Sequence, residues 1–380
     1  MSVKKITVIT GVCGTTGSQI LDYLASENEE VFLGQRVIVG VDNLFRGCMD
    51  NIRSHLNKDY FIYQFSSFEN AFLSKTRDGR WLTPAKKVIG SEEYVIDEIY
   101  HMAAVVPTKY FYESPDLTYK VNCKGTIDLF DWARENGVKR FIVGSSSEIY
   151  GHIKDEDIPA KETTMSHFDS EETSTRWSYA QGKLLTEHYL NHFKDDMERV
   201  CHLRFANTYG PRDMDDNHIL PYLVNCVVNG REIHINKNSD LIRRTFLSNK
   251  DSARACVELM SKGRNGIAYN VGSEEEVTID TLLGMIVSIA SRQFGIDTSK
   301  IKIVRDISRP GDPIRRVLDT SRLKEDTGFC PKVSLHDGIS EMIRKAIKMK
   351  EDKDSEDLSI NQVFISREES LRNGSNSSSR

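Results

Sequence analysis

The sequence is marked first by features that it lacks. Its 380 residues contain no apolar run that approaches about 18 residues, the length needed to span a membrane as a helix. After Lys4 and Lys5 there is only a short apolar strand and then a glycine loop, so we expect no signal peptide. These absences predict a soluble, cytoplasmic protein.

The cysteines lack the spacing that disulfide frameworks and zinc sites require. There are seven of them, they are scattered, and no two form a Cys-x-x-Cys pair. This pattern argues against a disulfide scaffold and against a structural metal site. We therefore expect reduced, mostly buried thiols and no bound metal.

Positive charge is not in excess. Lys and Arg together number 51 against 56 Asp and Glu, which gives a formal net charge of -5, and no basic stripe stands out. A nucleic-acid partner is not expected, whereas a small anion held by a few arginines remains possible. The 39% hydrophobic and 28% charged content is typical of globular proteins, and the length suffices for one large or two ordinary domains.

The first distinctive feature present is a strand, a glycine loop and a helix in succession. The β-branched run 5–10 leads into Gly11, Gly14 and Gly17, and a helix-like segment follows at 18–25. Gly11 permits a tight turn, Gly14 lets the backbone approach a pyrophosphate, and Gly17 lets helix and strand pack closely. Because the helix N-terminus also points free amides at an anion, the pattern predicts a phosphate cradle.

A second predicted strand, 36–41, ends in Asp42. A carboxylate at this place would accept hydrogen bonds from an adenosine ribose. It would also repel a 2'-phosphate, so the sequence favours NAD over NADP, although Arg46 nearby weakens that preference. The alternative is that Asp42 is a solvated turn residue before Asn43.

Tyr179 and Lys183 lie four residues apart. On a helix this spacing puts both side chains on one face, with β-carbons roughly 5 to 6 Å apart. The cation can then favour the phenolate and lower the tyrosine pKa from its usual value of about 10. Such a phenol could take a proton from a substrate hydroxyl. Taken alone, however, the pair is also a common chance arrangement.

Another candidate site follows the fifth predicted strand, 139–143. Its end carries Ser146, Ser147 and Glu148. In open parallel sheets, ligands bind beyond the carboxyl ends of the strands. The cluster is therefore a candidate part of a ligand site, and the alternative is a polar turn.

Three motifs together resemble the extended short-chain dehydrogenase/reductase family, that is, the nucleotide-sugar epimerases and dehydratases. They are the G-x-x-G-x-x-G spacing, Asp42-Asn43 after the second strand, and Tyr-x-x-x-Lys at 179–183. The resemblance implies an α/β protein with a Rossmann-type doubly wound parallel sheet and a smaller C-terminal substrate-binding domain. The expected division is an NAD-binding Rossmann domain at 1–205 to which 241–272 returns, a mainly nucleotide-sugar-binding domain at 206–350, and a disordered tail at 351–380.

The resemblance also assigns residues to the cofactor. His101 begins a segment similar to the family's H-x-A-A loop, and we interpret it as structural because the family places its acid–base groups elsewhere. The residues expected to bind NAD are Gly11, Gly14, Thr15, Thr16, Gly17, Asp42, Asn43, Ala103, Ala104, Asn122, Tyr179 and Lys183.

Two features depart from the family pattern. At the end of the third strand, 60–65, relatives commonly have an aspartate for the adenine, and this chain has Ser66 and Ser67 instead. The connection 68–94 is longer than expected, and we interpret it as an insertion without a chemical role.

Four residues are expected to be catalytic: Tyr179, Lys183, Ser146 and Glu148. Ser146 falls on the family's Ser/Thr that hydrogen-bonds the substrate hydroxyl, and Tyr179 would take the hydroxyl proton while NAD+ accepts hydride from carbon 4 of a nucleotide-linked hexose. Glu148 falls on a position retained where carbanion chemistry at carbon 5 accompanies the redox step. Simple 4-epimerases usually lack that glutamate.

Further residues resemble the family's substrate contacts. Arg176, Pro107 and Tyr110 are similar to UDP-glucuronate decarboxylases, and Arg176 is either a carboxylate clamp or a cap on a surface loop. The residues expected to bind substrate, several of them arginines aimed at the diphosphate, are Pro107, Tyr110, Ser147, Arg176, Asn207, Arg244, Arg309, Asp312 and Arg316.

The preferred interpretation is an NAD-dependent, UDP-glucuronate decarboxylase-like enzyme with a nucleotide-diphosphate sugar as substrate. A 4,6-dehydratase is the close alternative, because Glu148 fits it too and the segment 309–312 is not the decarboxylase form. A 4-epimerase comes third. A non-catalytic NAD-binding sensor or scaffold commonly loses the catalytic tyrosine or lysine, and this chain keeps both. The resemblance also implies a homodimer through the Tyr179 helix and its neighbour.

Overall fold

The computed structural model describes residues 4–73, 86–89, 92–106, 108–169, 177–307 and 314–353. The strands are β1 (Lys4–Thr10), β2 (Arg36–Asp42), β3 (Phe61–Phe65), β4 (Lys86–Ile89), β5 (Glu92–His101), β6 (Arg140–Ser146), β7 (Arg199–Phe205), β8 (Asn207–Tyr209), β9 (Ile233–Asn236), β10 (Arg243–Ser248), β11 (Ile267–Val271), β12 (Glu276–Thr278), β13 (Ile303–Ile307) and β14 (Arg315–Arg316). The helices are α1 (Thr15–Glu27), α2 (Glu29–Phe32), α3 (Phe68–Phe72), α4 (Thr108–Glu113), α5 (Pro115–Tyr119), α6 (Thr126–Glu135), α7 (Ser178–His192), α8 (Ile219–Asn229), α9 (Asn249–Lys262), α10 (Ile279–Phe294), α11 (Ser321–Thr327) and α12 (335–353).

The large sheet is parallel along the order β11-β7-β6-β5-β1-β2-β3, and β4 joins β5 antiparallel. The chain builds outward from β1 to β3 and then crosses to the other side of β1, so the order of the strands reverses between β1 and β5. Loops leave the carboxyl ends of these two strands in opposite directions, which opens a crevice for a ligand. The predicted α/β fold with a Rossmann-type doubly wound sheet is confirmed.

Both faces of this sheet are covered, as a parallel sheet requires. Along β1 the side chains alternate: Ile6 and Val8 pack against α6 on one face, whereas Ile9 packs against α1 and α9 on the other. Trp132 of α6 and Leu259 of α9 are fully buried in the two layers. This double cover fixes the ends of the strands, from which the candidate site is built.

A second core lies in the C-terminal half. The helices α8, α10 and α12 pack around a four-stranded sheet with the path β12-β10-β14, in which β8 also pairs with β10. In contrast, β11 leaves this half and becomes the edge strand of the large sheet beside β7. The C-terminal half therefore contributes to both cores.

Two segments contain structure that was not predicted. The segment 68–94, interpreted as an insertion, contains regular structure: β4 and the first three residues of β5, 92–94, form an antiparallel hairpin there. The last helix continues to 353, so the first three residues of the predicted tail are helical.

Within the described residues, no helix has the length and apolar character needed to cross a membrane.

Candidate active site

The glycine loop joins β1 to α1 by a very close approach of backbone segments. Gly11 has φ +71°, and a β-carbon there would lie 2.8 Å from the amide nitrogen of Ala103. A β-carbon on Gly17 would lie 2.2 Å from the carbonyl oxygen of Gly11. Side chains at these two positions would push the helix away from the strands.

The N-terminus of α1 is open to an anion. Gly14 is its N-cap, no described side chain caps it, and its first turn, which starts with Thr15 and Thr16, contains no acidic residue. The first backbone N–H groups of a helix lack partners within the helix, and the helix dipole gives them partial positive charge. The arrangement therefore suits a phosphate.

Asp42 is held beside this loop at the end of β2. Its carboxylate oxygens accept hydrogen bonds from the backbone N–H groups of Cys13 (2.9 Å) and Leu44 (2.7 Å). Burial raises the pKa of Asp42, and these two hydrogen bonds offset part of the rise. Asn43 caps the following turn by accepting from the N–H of Phe45. Each oxygen of Asp42 keeps a lone pair for a further donor, such as a ribose hydroxyl.

The loop after β5, which carries Ala103 and Ala104, is clamped by Asn122. The amide of Asn122 accepts from the N–H of Val105 and donates to its carbonyl, both at 2.7 Å. Both ends of this side chain thus hold the loop in place beside the glycine turn. Asn122 is nearly fully buried, within a π-helical turn that precedes α6.

His101 is part of the same support. Its ring nitrogens lie 2.7 Å from the hydroxyl of Thr10 and 3.0 Å from that of Thr126. Burial, with a smaller effect of the nearby Lys183 charge, lowers the pKa of His101 to about 3. A neutral imidazole whose two nitrogens are both hydrogen-bonded supports the structural interpretation over the catalytic one.

These residues fit NAD. The glycine loop lets a pyrophosphate approach the uncapped end of α1, and Asp42 lies at the strand end where an adenosine ribose would be held.

Tyr179 and Lys183 lie on the first turns of α7, facing the end of β6. Both side chains are buried, and the Lys183 ammonium donates to the carbonyl oxygen of Gly144 at 2.6 Å. The ammonium is 5.8 Å from the centre of the Tyr179 ring. Ser146 and Glu148 are close enough to the phenol to affect its ionisation. The structure thus brings together all four residues that were predicted to be catalytic.

The ionisation of this pair differs from the sequence expectation. Burial raises the pKa of Tyr179 above its ordinary value; the hydrogen bond with Ser146 opposes the rise, and the Glu148 charge adds to it. Burial also lowers the pKa of Lys183 to about 8. The expected lowering of the phenol pKa was wrong for the polypeptide by itself, because desolvation of the phenolate is the largest effect on it.

One aromatic neighbour of Tyr179 was missed. Phe111 of α4 stacks on the Tyr179 ring with centres 4.7 Å apart and an interplanar angle of 12°. The predicted substrate residue Tyr110 instead packs on Phe45, with ring centres 5.5 Å apart. The aromatic run 110–112 indicates that aromatic side chains line this part of the site, but the sequence does not reveal which ring contacts the catalytic phenol.

A buried ionic network below the pair was also missed. Glu187, one turn beyond Lys183 on α7, is bonded to Arg204 of β7 through three contacts of 2.6 to 3.1 Å. The Ser145 hydroxyl donates to the same carboxylate, and Arg204 also donates to the hydroxyl of Tyr150 at 3.0 Å. Burial by itself would raise the pKa of Glu187, but Arg204 outweighs it and holds the pKa below the ordinary value. The network ties α7 to the ends of β6 and β7.

Glu148 forms an ion pair with Arg316 of β14. The two residues are 168 positions apart, and the Arg316 side chain is only 9% exposed. Ser147, the residue before Glu148, is buried in the same short turn. Arg316, which was predicted to bind substrate, thus contacts the serine turn through Glu148.

Two other predicted substrate residues lie around β10. Arg244 is in register with Arg316 on the neighbouring strand and donates to the carbonyl of Ile314 at 3.0 Å. Asn207 of β8 donates to the carbonyl of Thr245 at 3.1 Å. The predicted residues Pro107, Arg176, Arg309 and Asp312 lie outside the described residues.

Comparisons with known proteins agree with this geometry. The sequence pattern of the NAD dependent epimerase/dehydratase family matches residues 7–272. UDP-glucuronic acid decarboxylase 1 of Arabidopsis thaliana is 25% identical over 338 residues, which cover 88% of this chain and 68% of that protein. UDP-glucose 4-epimerase of Mycolicibacterium smegmatis is 27% identical over 348 residues, which cover 89% of this chain and 97% of that protein.

Among solved structures, a dTDP-glucose 4,6-dehydratase from Streptomyces venezuelae with NAD bound has the same fold. Its TM-score is 0.72 at 21% identity, over 90% of this chain and 96% of that one. The three similar proteins carry three different activities, so similarity alone does not choose among them.

Proposed function

Because the chain belongs to the NAD-dependent epimerase/dehydratase family, we propose that it decarboxylates UDP-linked glucuronate through a 4-keto-sugar intermediate. The protein is an NAD-dependent enzyme of a family that modifies nucleotide sugars. NAD, when bound, would supply a hydride acceptor and a positive charge.

The polypeptide would hold and move one proton at the substrate. Tyr179 takes the proton of the carbon 4 hydroxyl, and Ser146 holds that hydroxyl in line. Lys183, fixed by Gly144, keeps a positive charge near the phenol. Because the Phe111 ring covers one face of Tyr179, it excludes water there. The proton then passes directly between the Tyr179 phenol and the substrate hydroxyl.

One observation carries the choice of reaction: Glu148 is ion-paired with Arg316, and its charge acts on the ionisation of Tyr179. Once carbon 4 is a ketone, electrons released at carbon 5 can be delocalised onto its oxygen. In decarboxylation, the bond between carbons 5 and 6 breaks, carbon dioxide leaves, and carbon 5 then takes up a proton. Return of the hydride to carbon 4 and of the Tyr179 proton to its oxygen would then restore the hydroxyl, so that the reaction involves no net oxidation. No base has to remove hydrogen from carbon 5.

Dehydration is the second candidate, because it would use the same glutamate. Glu148 would take the hydrogen of carbon 5 as a proton while hydroxide leaves carbon 6. Protonation would break its ion pair with Arg316, which is costly where both partners are mostly buried. The ion pair therefore favours decarboxylation over dehydration.

The test is to incubate the purified full chain, with NAD, with UDP-glucuronate, UDP-glucose and dTDP-glucose, and to identify products by mass spectrometry and NMR. Loss of carbon dioxide from UDP-glucuronate supports the proposal. Loss of water from either glucose derivative would support the dehydratase instead, and unchanged mass with inverted carbon 4 would support an epimerase. No reaction with any of them would favour a binding protein.

We also propose the two-part division at 1–205 and 206–350 with a tail that begins after the last helix, at 354. A cytoplasmic location and a homodimer through α7 and its neighbour are proposed as well. The second core around α8 and α10 supports the division.

The state of the cysteines supports the cytoplasmic location. All seven are free, five of them buried, as suits a reducing compartment. Exposed apolar side chains on α4, α5 and α7 support the dimer: Tyr112, Tyr119 and Leu185.

A further inference from the structure

Arg46 lies close to Asp42, the residue expected to contact the adenosine ribose of NAD. Gly47, the next residue, packs on Asp42: a β-carbon there would lie 3.0 Å from both carboxylate oxygens. The backbone N–H of Cys48 donates to the carbonyl of Cys13 in the glycine loop at 3.0 Å. These contacts hold the chain around Arg46 against Asp42, so the arginine side chain starts within reach of a group bound at that carboxylate.

A cation in this place works against a preference for NAD. NADP carries an additional phosphate on the 2'-oxygen of the adenosine ribose, and a nearby arginine is the side chain that accommodates it. The planar guanidinium can donate two parallel hydrogen bonds to phosphate oxygens. Asp42 would repel the 2'-phosphate, whereas a guanidinium beside it would attract it. The direction in which Arg46 points therefore affects which cofactor is preferred.

The Arg46 guanidinium is bonded to Asp215, which lies between β8 and α8. Its Nη2 donates to Oδ2 of Asp215 at 2.6 Å. The two side chains are only 24% and 33% exposed, so this ion pair is worth more than one on the open surface. The residues are 169 positions apart, and the contact forms because the start of the C-terminal half packs against the loop after β2.

Asp215 is held in position for this contact. Its Oδ1 accepts hydrogen bonds from the backbone N–H of Asn217 at 3.0 Å and from the Asn217 side-chain amide at 2.6 Å, while Oδ2 accepts from Arg46. Burial by itself would raise the pKa of Asp215, but Asn217 and Arg46 outweigh it and hold the pKa below its ordinary value. The carboxylate is therefore ionised at neutral pH, opposite the guanidinium.

A second ion pair attaches the same segment to the NAD-binding half. Arg212 donates to Asp22 of α1 at 2.7 Å, and the other oxygen of Asp22 lies 2.7 Å from Nε2 of His55. The helix α1 is the one whose N-terminus suits a phosphate. The segment that carries Asp215 is thus joined at two points to the elements expected to hold the cofactor, which fixes Asp215 relative to Arg46.

We propose that Asp215 is a specificity residue for the cofactor: it holds the Arg46 guanidinium, keeps it from the 2'-phosphate of NADP and thereby strengthens the preference for NAD. To bind NADP through Arg46, the protein would have to break the ion pair, and NAD binding carries no such cost. Asp42 disfavours the phosphate by direct repulsion, and Asp215 engages the group that would compensate. The inference concerns the cofactor and does not depend on which sugar reaction the enzyme catalyses.

Competition between the two nucleotides, measured without substrate, tests this assignment. The purified full chain is equilibrated with equal, excess concentrations of NAD and NADP, free nucleotide is removed, and the bound nucleotides are released and quantified by chromatography. The parent protein should hold mostly NAD. In Asp215→Asn, which keeps the size of the side chain and an acceptor for Asn217, the ratio of bound NADP to bound NAD should rise about three- to tenfold.

Further variants separate this contact from folding and from net charge. Asp215→Ser, a smaller replacement that also keeps an acceptor for the Asn217 N–H, should give the same rise. Asp216→Asn is the matched control, because it removes one negative charge at the next residue, whose carboxylate pairs with Arg231 at 2.9 Å. The control should leave the ratio unchanged. Adding Arg46→Ala to Asp215→Asn should return the ratio to the parent value or below it.

Four results would overturn the inference. An equal rise in Asp216→Asn would show that the ratio follows net charge rather than the Arg46 contact. An unchanged ratio in both Asp215 variants would show that the ion pair does not affect cofactor choice. A rise that persists after Arg46→Ala would show that another group binds the 2'-phosphate. A parent protein that holds NADP as readily as NAD would show that there is no preference for Asp215 to strengthen.

Discussion

At the scale of single residues, the site depends on a phenol whose environment opposes its ionisation. Tyr179 is 6% exposed, stacked on Phe111 and close to the Glu148 carboxylate. Burial of a phenolate in such a place raises the pKa, so the positive charges of Lys183 and of the bound cofactor must make the proton transfer possible. The chemistry is thus controlled by a few charges at short range.

Replacing Tyr179 by Phe removes the proton acceptor and keeps the ring. We expect kcat to fall by about 100- to 10,000-fold, while the dissociation constant of the nucleotide sugar, measured by titration, changes little. Tyr189→Phe is the matched control on the same helix, because the Tyr189 hydroxyl donates to Asp131 away from the site. Turnover near the starting rate in Tyr179→Phe would end the proposed mechanism.

Lys183 gives a prediction about pH and stability. Burial lowers its pKa from 10.5 to about 8, so between these values the unfolded chain binds a proton that the folded chain does not. Stability contributed by this group therefore rises as pH rises through the window from about 8 to 10.5. Relative to Lys183→Met, the protein should gain about 2 to 4 kcal/mol between pH 7.5 and 10.5.

This difference is measured by urea denaturation of both proteins across the pH range. Lys120→Met, at a side chain that is 70% exposed, controls for the loss of a lysine from the surface. If the difference between Lys183→Met and the parent stayed constant with pH, burial of the ammonium would not be its cause.

At the scale of elements, the position of α7 is set by Glu187 and Arg204. Lys183 is bonded to the Gly144 carbonyl, and Glu187 accepts from the Ser145 hydroxyl, so two successive turns of the helix attach to two successive residues of β6. The next residue of the strand is Ser146. A shift of the helix would therefore change the distance between Ser146 and Tyr179.

Glu187→Ala leaves Arg204 buried without its charge partner. We expect a loss of about 3 to 5 kcal/mol in the free energy of unfolding, measured by urea denaturation. Glu341→Ala, which breaks the more exposed pair with Lys250, is the control and should cost less than about 1 kcal/mol. A similar cost for both variants would show that the Glu187 network does not hold the helix.

The elements also show what could be predicted from the sequence and what could not. The strand, glycine loop and helix from 5 to 25 were predictable, because local spacing and the steric freedom of glycine determine them. The pairing of Glu148 with Arg316 was not, since the two residues are 168 positions apart and meet through tertiary packing of the segment that contains β14. Phe111 was missed for a related reason: the run 110–112 offers three rings, and the helix phase of α4 decides between them.

At the scale of the whole molecule, the helices that frame the site also carry its exposed apolar surface. Tyr112, Tyr119 and Leu185 are each about half exposed and lie on the adjoining helices α4, α5 and α7. Charged substitution at the centre of such a surface disfavours its burial in a dimer. Leu185→Glu should therefore shift the protein from dimer to monomer in light scattering, with NAD still bound.

The control for this prediction is Leu241→Glu, at an exposed leucine in the C-terminal half. It should leave the mass in solution unchanged. A parent protein that is already monomeric would contradict the homodimer, and a Leu185→Glu protein that remained dimeric would place the interface elsewhere.

The edge strand β11 has a consequence for how the protein is made. Because β11 comes from residues 267–271 and covers the side of β7, the large sheet stays open at that side until residue 271 has emerged from the ribosome. During this interval the nascent chain presents the unpaired backbone of β7, a strand rich in buried side chains, to other chains. Chaperone demand should therefore peak during translation of the segment between β7 and β11.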